Sequence, residues 1–129
     1  MVRTANLKNY SDVHFTDRNI AGQIVSYFQP KGRILEPFRG DGAFFEALPA
    51  ESFWCELNEG RDFFDWEEPV DWIITNPPFS NLTDIMAHAF EVAQNTVFLV
   101  PLSKIYSSSP RLDLVRKEAG MRTQLMFGP

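Results

Sequence analysis

"DWIITNPPFS", residues 71–80, decides the fold reading. Trp72, Ile73, Ile74 and Thr75 form a short apolar run rich in β-branched residues, which is the pattern of a buried strand. The run ends against Asn76-Pro77-Pro78-Phe79, and a proline pair cannot donate to a sheet ladder, so the strand has to stop there. A strand that delivers two rigid prolines, an amide and an aromatic ring to one place is presenting them to something.

Working outward, strands alternate with helices. On the N-terminal side, Thr16 is expected to cap a helix whose apolar positions Ile20, Ala21, Ile24, Val25 and Phe28 share one face, ended by Pro30 and Gly32. "RILE" (33–36) reads as a buried strand, followed by a glycine turn and a brief helix over 44–48. "SFWCE" (52–56) is a second strand and "RDFF" (61–64) a weak third, with 71–75 the fourth. Beyond the tetrad, a helix over 82–94 buries Ile85, Met86, Ala89, Phe90 and Ala93, and "TVFLVP" (96–101) is the next strand. After a Ser-rich loop, Ser109-Pro110 supplies a cap and a first-turn proline for a helix to about Ala119, and "TQLMF" (123–127) reads as a last strand. This alternation predicts an α/β fold, a mostly parallel sheet covered by helices on both faces, in one domain spanning 1–129.

Composition narrows the function. A 129-residue chain with 44% hydrophobic residues holds one real core and has little room for a second. Cys55 is the only cysteine, and His14 and His88 stand far apart, so the residues predict neither a disulfide nor a metal site, in keeping with a reducing, cytoplasmic setting. No stretch approaches the roughly 18 apolar residues of a membrane span. Twelve basic against seventeen acidic residues give a net charge of −5, which weighs against a phosphate-gripping surface. Arg111, Arg116, Lys117 and Arg122 concentrate basic charge near the C-terminus, where a solvated helix face is the simplest reading.

In open parallel sheets, ligands sit beyond the carboxyl ends of the strands, at the point where strand order reverses. The first strand ends in "LEPFRGDGAFF", in which Gly40 and Gly42 let the backbone approach a ligand. Glu56, at the end of the second strand, is either an acceptor for two ribose hydroxyls or a solvated carboxylate. Asp62 and Phe63 read either as an adenine site or as a turn former beside a core ring. Phe45 stands where a dinucleotide fingerprint needs a small residue, and the acidic Glu36 would repel a pyrophosphate. S-adenosylmethionine, with an ammonium, a sulfonium, a ribose and an adenine, suits these groups better. At the tetrad, the Asn76 side chain and the Pro77 carbonyl can accept from the two hydrogens of a planar amine, with Pro78 adding rigidity and Phe79 stacking on the ring that bears the amine. Drawing both N–H bonds toward acceptors raises the electron density of the nitrogen, which is transition-state electrostatics without a metal.

The series "LEPFRGDGAFF", "CELNEGRDFFDW" and "DWIITNPPF", in this order and spacing, resembles the motif series of class I S-adenosylmethionine-dependent amino-methyltransferases, specifically the N6-adenine DNA methyltransferases. "FTDRN" is similar to the family's N-terminal cofactor motif. The resemblance covers about residues 15–127 and implies a Rossmann-like methyltransferase fold. It implies that Thr16, Glu36, Pro37, Phe38, Gly40 and Gly42 border the methionine and ribose, Glu56 and Leu57 the ribose, and Asp62 with Phe63 the adenine. It implies too that Asn76, Pro77, Pro78 and Phe79 hold the target amine, with Asn76 also touching the cofactor.

Two departures bear on partners. None of these 129 residues reads as the family's target-recognition region, and the chain stops near a sixth strand where the family adds a seventh, as expected either of a sheet edge completed by another subunit or of a minimal or truncated form of the kind phage or bacterial genomes encode. DNA is the expected substrate, and a recognition or completing subunit, including a second copy, the expected partner. The same tetrad serves RNA-base and protein-glutamine methyltransferases. A non-catalytic S-adenosylmethionine-binding subunit, or an enzyme that breaks the cofactor down, is a further alternative.

Overall fold

The computed structural model describes residues 16–119, and the strand expected over 123–127 lies outside them. The element order is α1 (Arg18–Phe28), β1 (Ile34–Glu36), α2 (Ala43–Ala47), β2 (Phe53–Trp54), β3 (Val70–Thr75), α3 (Leu82–Val92), β4 (Ala93–Phe98), α4 (Leu102–Tyr106) and α5 (Ser109–Leu114), which continues as a π-helical turn over Val115–Ala119. The four strands form one sheet in the order β2-β1-β3-β4, every pairing parallel.

The α/β reading and the parallel sheet are therefore as expected, and the core explains the layering. Successive strand residues point to opposite faces. Ile34, Ile74, Val97 and Leu99 pack with Ala21 and Ile24 of α1 and Ala43 and Phe44 of α2. Leu35, Ile73, Phe98 and Val100 pack with Leu82, Ile85, Met86 and Ala89 of α3 and with Ile105 and Val115. Two apolar layers, one on each side of the sheet, leave Ile73, Ile74 and Leu35 with no exposed surface.

Several local expectations are corrected. The cap of α1 is Asp17, whose side chain accepts from the amides of Asn19 and Ile20, while the Thr16 hydroxyl accepts a bond from Asn76 instead. Residues 61–64 are not a strand: Asp62 accepts from the Phe64 amide and starts a 3-10 turn over Phe63–Asp65, and Arg61 makes only an isolated antiparallel bridge to Glu56. α3 ends at Val92 and β4 begins at once, because Ala93 pairs with Val70 and tertiary pairing overrides the helical preference of the segment. The cap of α5 is Ser108 rather than Ser109, and a short helix, α4, occupies part of the expected Ser-rich loop.

The entry to the sheet is held by a clasp. Gly32 has φ +91°, and a Cβ there would stand 2.2 Å from the Asp71 carboxylate oxygen, which itself accepts from the Arg33 amide at 2.7 Å. Gly32→Ala is expected to destabilise the fold by about 1–3 kcal/mol, read as a lower urea midpoint at unchanged slope. An unchanged midpoint would mean that this clasp does not hold β1 to β3. Among the described residues, no helix is long and apolar enough to cross a membrane, and no group of three or more His, Cys, Asp or Glu could hold a metal ion.

Candidate functional site

The strand order places a crevice between β1 and β3. From β1 the chain moves outward to β2, and from β3 it moves the other way to β4, so the connections diverge above the carboxyl ends of β1 and β3. Glu36 is the last residue of β1, and Asn76 follows the last residue of β3.

The glycine turn is built inward. The Phe38 amide donates to Glu36 Oε1 at 2.8 Å and the Gly40 amide to Glu56 Oε1 at 3.1 Å, while the Arg39 and Gly42 amides donate to the carbonyls of Cys55 and Arg39. Gly40 and Gly42 have φ of 56° and 94°, which L side chains rarely adopt, so both glycines are required by the path of the turn. A phosphate-cradling loop offers its amides to the ligand. Here four of them are already engaged, two by the carboxyl groups of Glu36 and Glu56, and the rim carries Glu36, Asp41 and Glu56 beside Arg39. The donor set suits a cationic ligand and not a pyrophosphate. Arg18 ties this turn to α1, pairing with Asp41 at 3.2 Å and Glu46 at 2.9 Å.

Among the described residues, Glu36 is the most deeply buried ionisable group, at 1% exposure. Burial pushes its pKa up to about 8, with the Thr75 hydroxyl and the Phe38 amide acting against the shift and the charge of Glu56 adding to it. The folded state thus holds a neutral carboxyl that the unfolded chain, with an ordinary value of 4.5, would ionise. The stability contributed by that preference is complete below pH 4.5 and is lost as pH rises through about 8. Across that window the wild type is expected to lose up to about 1.4 kcal/mol per pH unit, and Glu36→Gln to flatten the slope. Urea midpoints at pH 5 and pH 8 test this, and equal slopes in both proteins would contradict it.

The tetrad faces the same crevice. Asn76 is half-buried, and its Nδ2 donates to Thr16 Oγ1 at 2.9 Å. Pro77 is buried, Pro78 and Phe79 are half-buried, and Phe79 packs on the core layer formed with α3. A notch of about 30 Å³, room for about one water, lies between Thr16, Glu36, Phe38, Gly40, Phe44 and Asn76.

Of the remaining sequence-predicted residues, only Glu56 borders the notch. Pro37 and Gly42 shape the turn without lining the notch. Glu56 borders it through its bond to Gly40, and its second oxygen accepts from Asn58 at 3.1 Å. Leu57 is 69% exposed. Asp62 lines a separate cleft of about 260 Å³ with Trp54, Arg61, Asp65 and Trp66. Phe63 is in the core, edge-on to Phe38 at 5.6 Å and to His88 at 4.7 Å, so Phe38 is the ring that reaches the crevice from this side.

The chain matches no known family model, and no curated protein or solved structure matches it either.

Three cations escaped the sequence reading. Arg39 and Arg61 both lie over the Trp54 ring, at 4.0 and 3.8 Å from its centroid, and Lys104 lies 5.3 Å from the centre of the Phe79 ring. The signal for Lys104 was positional: it follows the carboxyl end of a parallel strand, where sites of this fold class gather.

Proposed function

We propose that this protein is an S-adenosylmethionine-dependent N-methyltransferase whose acceptor is an exocyclic amine, N6 of adenine in DNA foremost. One observation carries the reading: Glu36, the glycine turn and Asn76 meet where the strand order reverses, and the turn amides are already taken by Glu36 and Glu56.

In this reading Glu36 and the backbone of the turn face the cationic methionine end, and Glu56, with lone pairs to spare beyond its two amide bonds, accepts from the ribose. A positive charge against Glu36 lowers its raised pKa, so cofactor binding near neutral pH releases a proton. Bound there, S-adenosylmethionine supplies an electrophilic methyl group. The chain's own residues prepare the acceptor. Asn76 Oδ1 and the Pro77 carbonyl accept from the amine hydrogens, and Phe79 stacks on the attached ring. Thr16 anchors the Asn76 amide from its other side. Positioning and preorganised acceptors then provide the rate enhancement.

The test compares labelled methyl incorporation from S-adenosylmethionine into adenine-containing DNA, RNA and protein. Incorporation into DNA at adenine is the expected result. Incorporation only into RNA or protein would keep the reaction and change the acceptor. Cofactor binding without any incorporation would indicate a non-catalytic subunit.

A further inference from the structure

Lys104 is placed at the rim of the tetrad by a framework of hydrogen bonds. The lysine sits in α4, which opens just beyond the carboxyl end of β4, on the same edge of the sheet as the glycine turn and Asn76. Its amide donates to the Pro101 carbonyl at 3.0 Å. Arg111 Nε donates to the Lys104 carbonyl at 2.6 Å, and its guanidinium reaches Thr83 Oγ1 at 3.2 Å. Thr83 lies in the first turn of α3, the helix that follows the tetrad. The backbone of Lys104 is thereby tied to the segment that carries Phe79, while its side chain is exposed.

The ammonium lies over an aromatic ring, as the guanidinium groups of Arg33, Arg39 and Arg61 do. Arg18, Arg33 and Arg39 each pair with a carboxylate, but among the described residues no carboxylate pairs with Lys104, whose contact is the Phe79 ring. An exposed ammonium on an aromatic ring gains only about 0.5–1 kcal/mol. A charge-assisted bond to a phosphate is stronger, so a base that stacks on Phe79 can displace the ammonium, provided a phosphate is there to receive it. A neutral glutamine side chain brings no such group.

We propose that Lys104 contacts a backbone phosphate of the acceptor strand: it leaves the Phe79 ring as the target base stacks there and pairs with the phosphate beside that base. The acceptor is then a nucleic-acid strand and not a protein side chain. The proposal rests on the methyl-transfer reading for the role of Phe79, and it supplies the site with a phosphate contact that the net charge of −5 had argued against.

The experiment is fluorescence anisotropy of a labelled single-stranded, adenine-containing oligonucleotide with the full chain, over a salt series, for wild type, Lys104→Gln and Lys104→Arg. Lys104→Gln is expected to weaken binding about fivefold at low salt and to reduce the slope of log K against log salt by about 0.7, the loss of one phosphate contact. Lys104→Arg should stay near wild type. An unchanged slope in Lys104→Gln overturns the proposal, and so does failure of the wild type to bind the oligonucleotide. S-adenosylmethionine binding is measured separately in all three proteins, so that failure of the methyl-transfer reading, seen as no cofactor binding, is distinct from failure of the phosphate contact.

Discussion

Asn76→Ala is expected to lower methyl transfer by about 10²-fold or more while leaving the affinity for S-adenosylmethionine within roughly threefold, the loss of one preorganised polar group aimed at the reacting amine. The split follows from where the residue stands. Asn76 lines the notch beside Glu36 and Gly40, with its Nδ2 donating to Thr16, and the proposed acceptor role belongs to its oxygen. An amine nitrogen conjugated to a ring is a weak nucleophile, and an acceptor on each N–H matters most as the nitrogen gains positive charge in the transition state. The effect therefore falls on kcat more than on binding. Single-turnover rates beside equilibrium cofactor titrations separate the two. A parallel loss of cofactor affinity would move Asn76 from the acceptor side to the cofactor side of the crevice.

Glu56→Ala is expected to do the reverse, weakening S-adenosylmethionine by roughly 30-fold or more, the scale of losing a charged hydrogen-bonding partner. Two contributions combine. The carboxylate is the proposed acceptor for the ribose, and it also clasps the glycine turn through Gly40 and caps a 3-10 turn over Leu57–Glu59 through Asn58. Truncation removes the first and loosens the second. Glu56→Gln keeps one acceptor oxygen and is expected to fall between wild type and Glu56→Ala. Cofactor-induced shifts in melting temperature across the three proteins read this directly. Equal shifts in all three would reduce Glu56 to a structural clasp.

The helices and the central strands were legible because their apolar periodicity is long and regular. Ile20, Ala21, Ile24 and Phe28 mark one face of α1, and Trp72 to Thr75 mark β3. Short elements were not. The two rings of "RDFF" resemble a strand, but a two-residue apolar run carries no period, and Asp62 turns it into a 3-10 turn by accepting from the Phe64 amide. α4 was hidden because "LSKIY" has too few residues to show a pattern. At the site, the positions of Glu36, Gly40 and Asn76 followed from reading strand ends. Their couplings did not, since the bonds from Gly40 to Glu56 and from Asn76 to Thr16 span 16 and 60 residues. The raised pKa of Glu36 was equally invisible, because it comes first from burial, which only the fold imposes, with the charge of Glu56 adding to it. The burial of Phe63 likewise depends on Phe38 and His88, which only the fold brings against it.

The central claim is that a turn with its amides already taken and a rim of carboxylates binds a cationic nucleoside cofactor in the crevice between β1 and β3. Calorimetric titration of the purified chain with S-adenosylmethionine, beside ATP and NAD, tests it most directly. The account predicts one-to-one binding of S-adenosylmethionine and no measurable heat from the two phosphate-bearing nucleotides. Binding of ATP or NAD in its place, or a folded chain that leaves S-adenosylmethionine untouched, would contradict it.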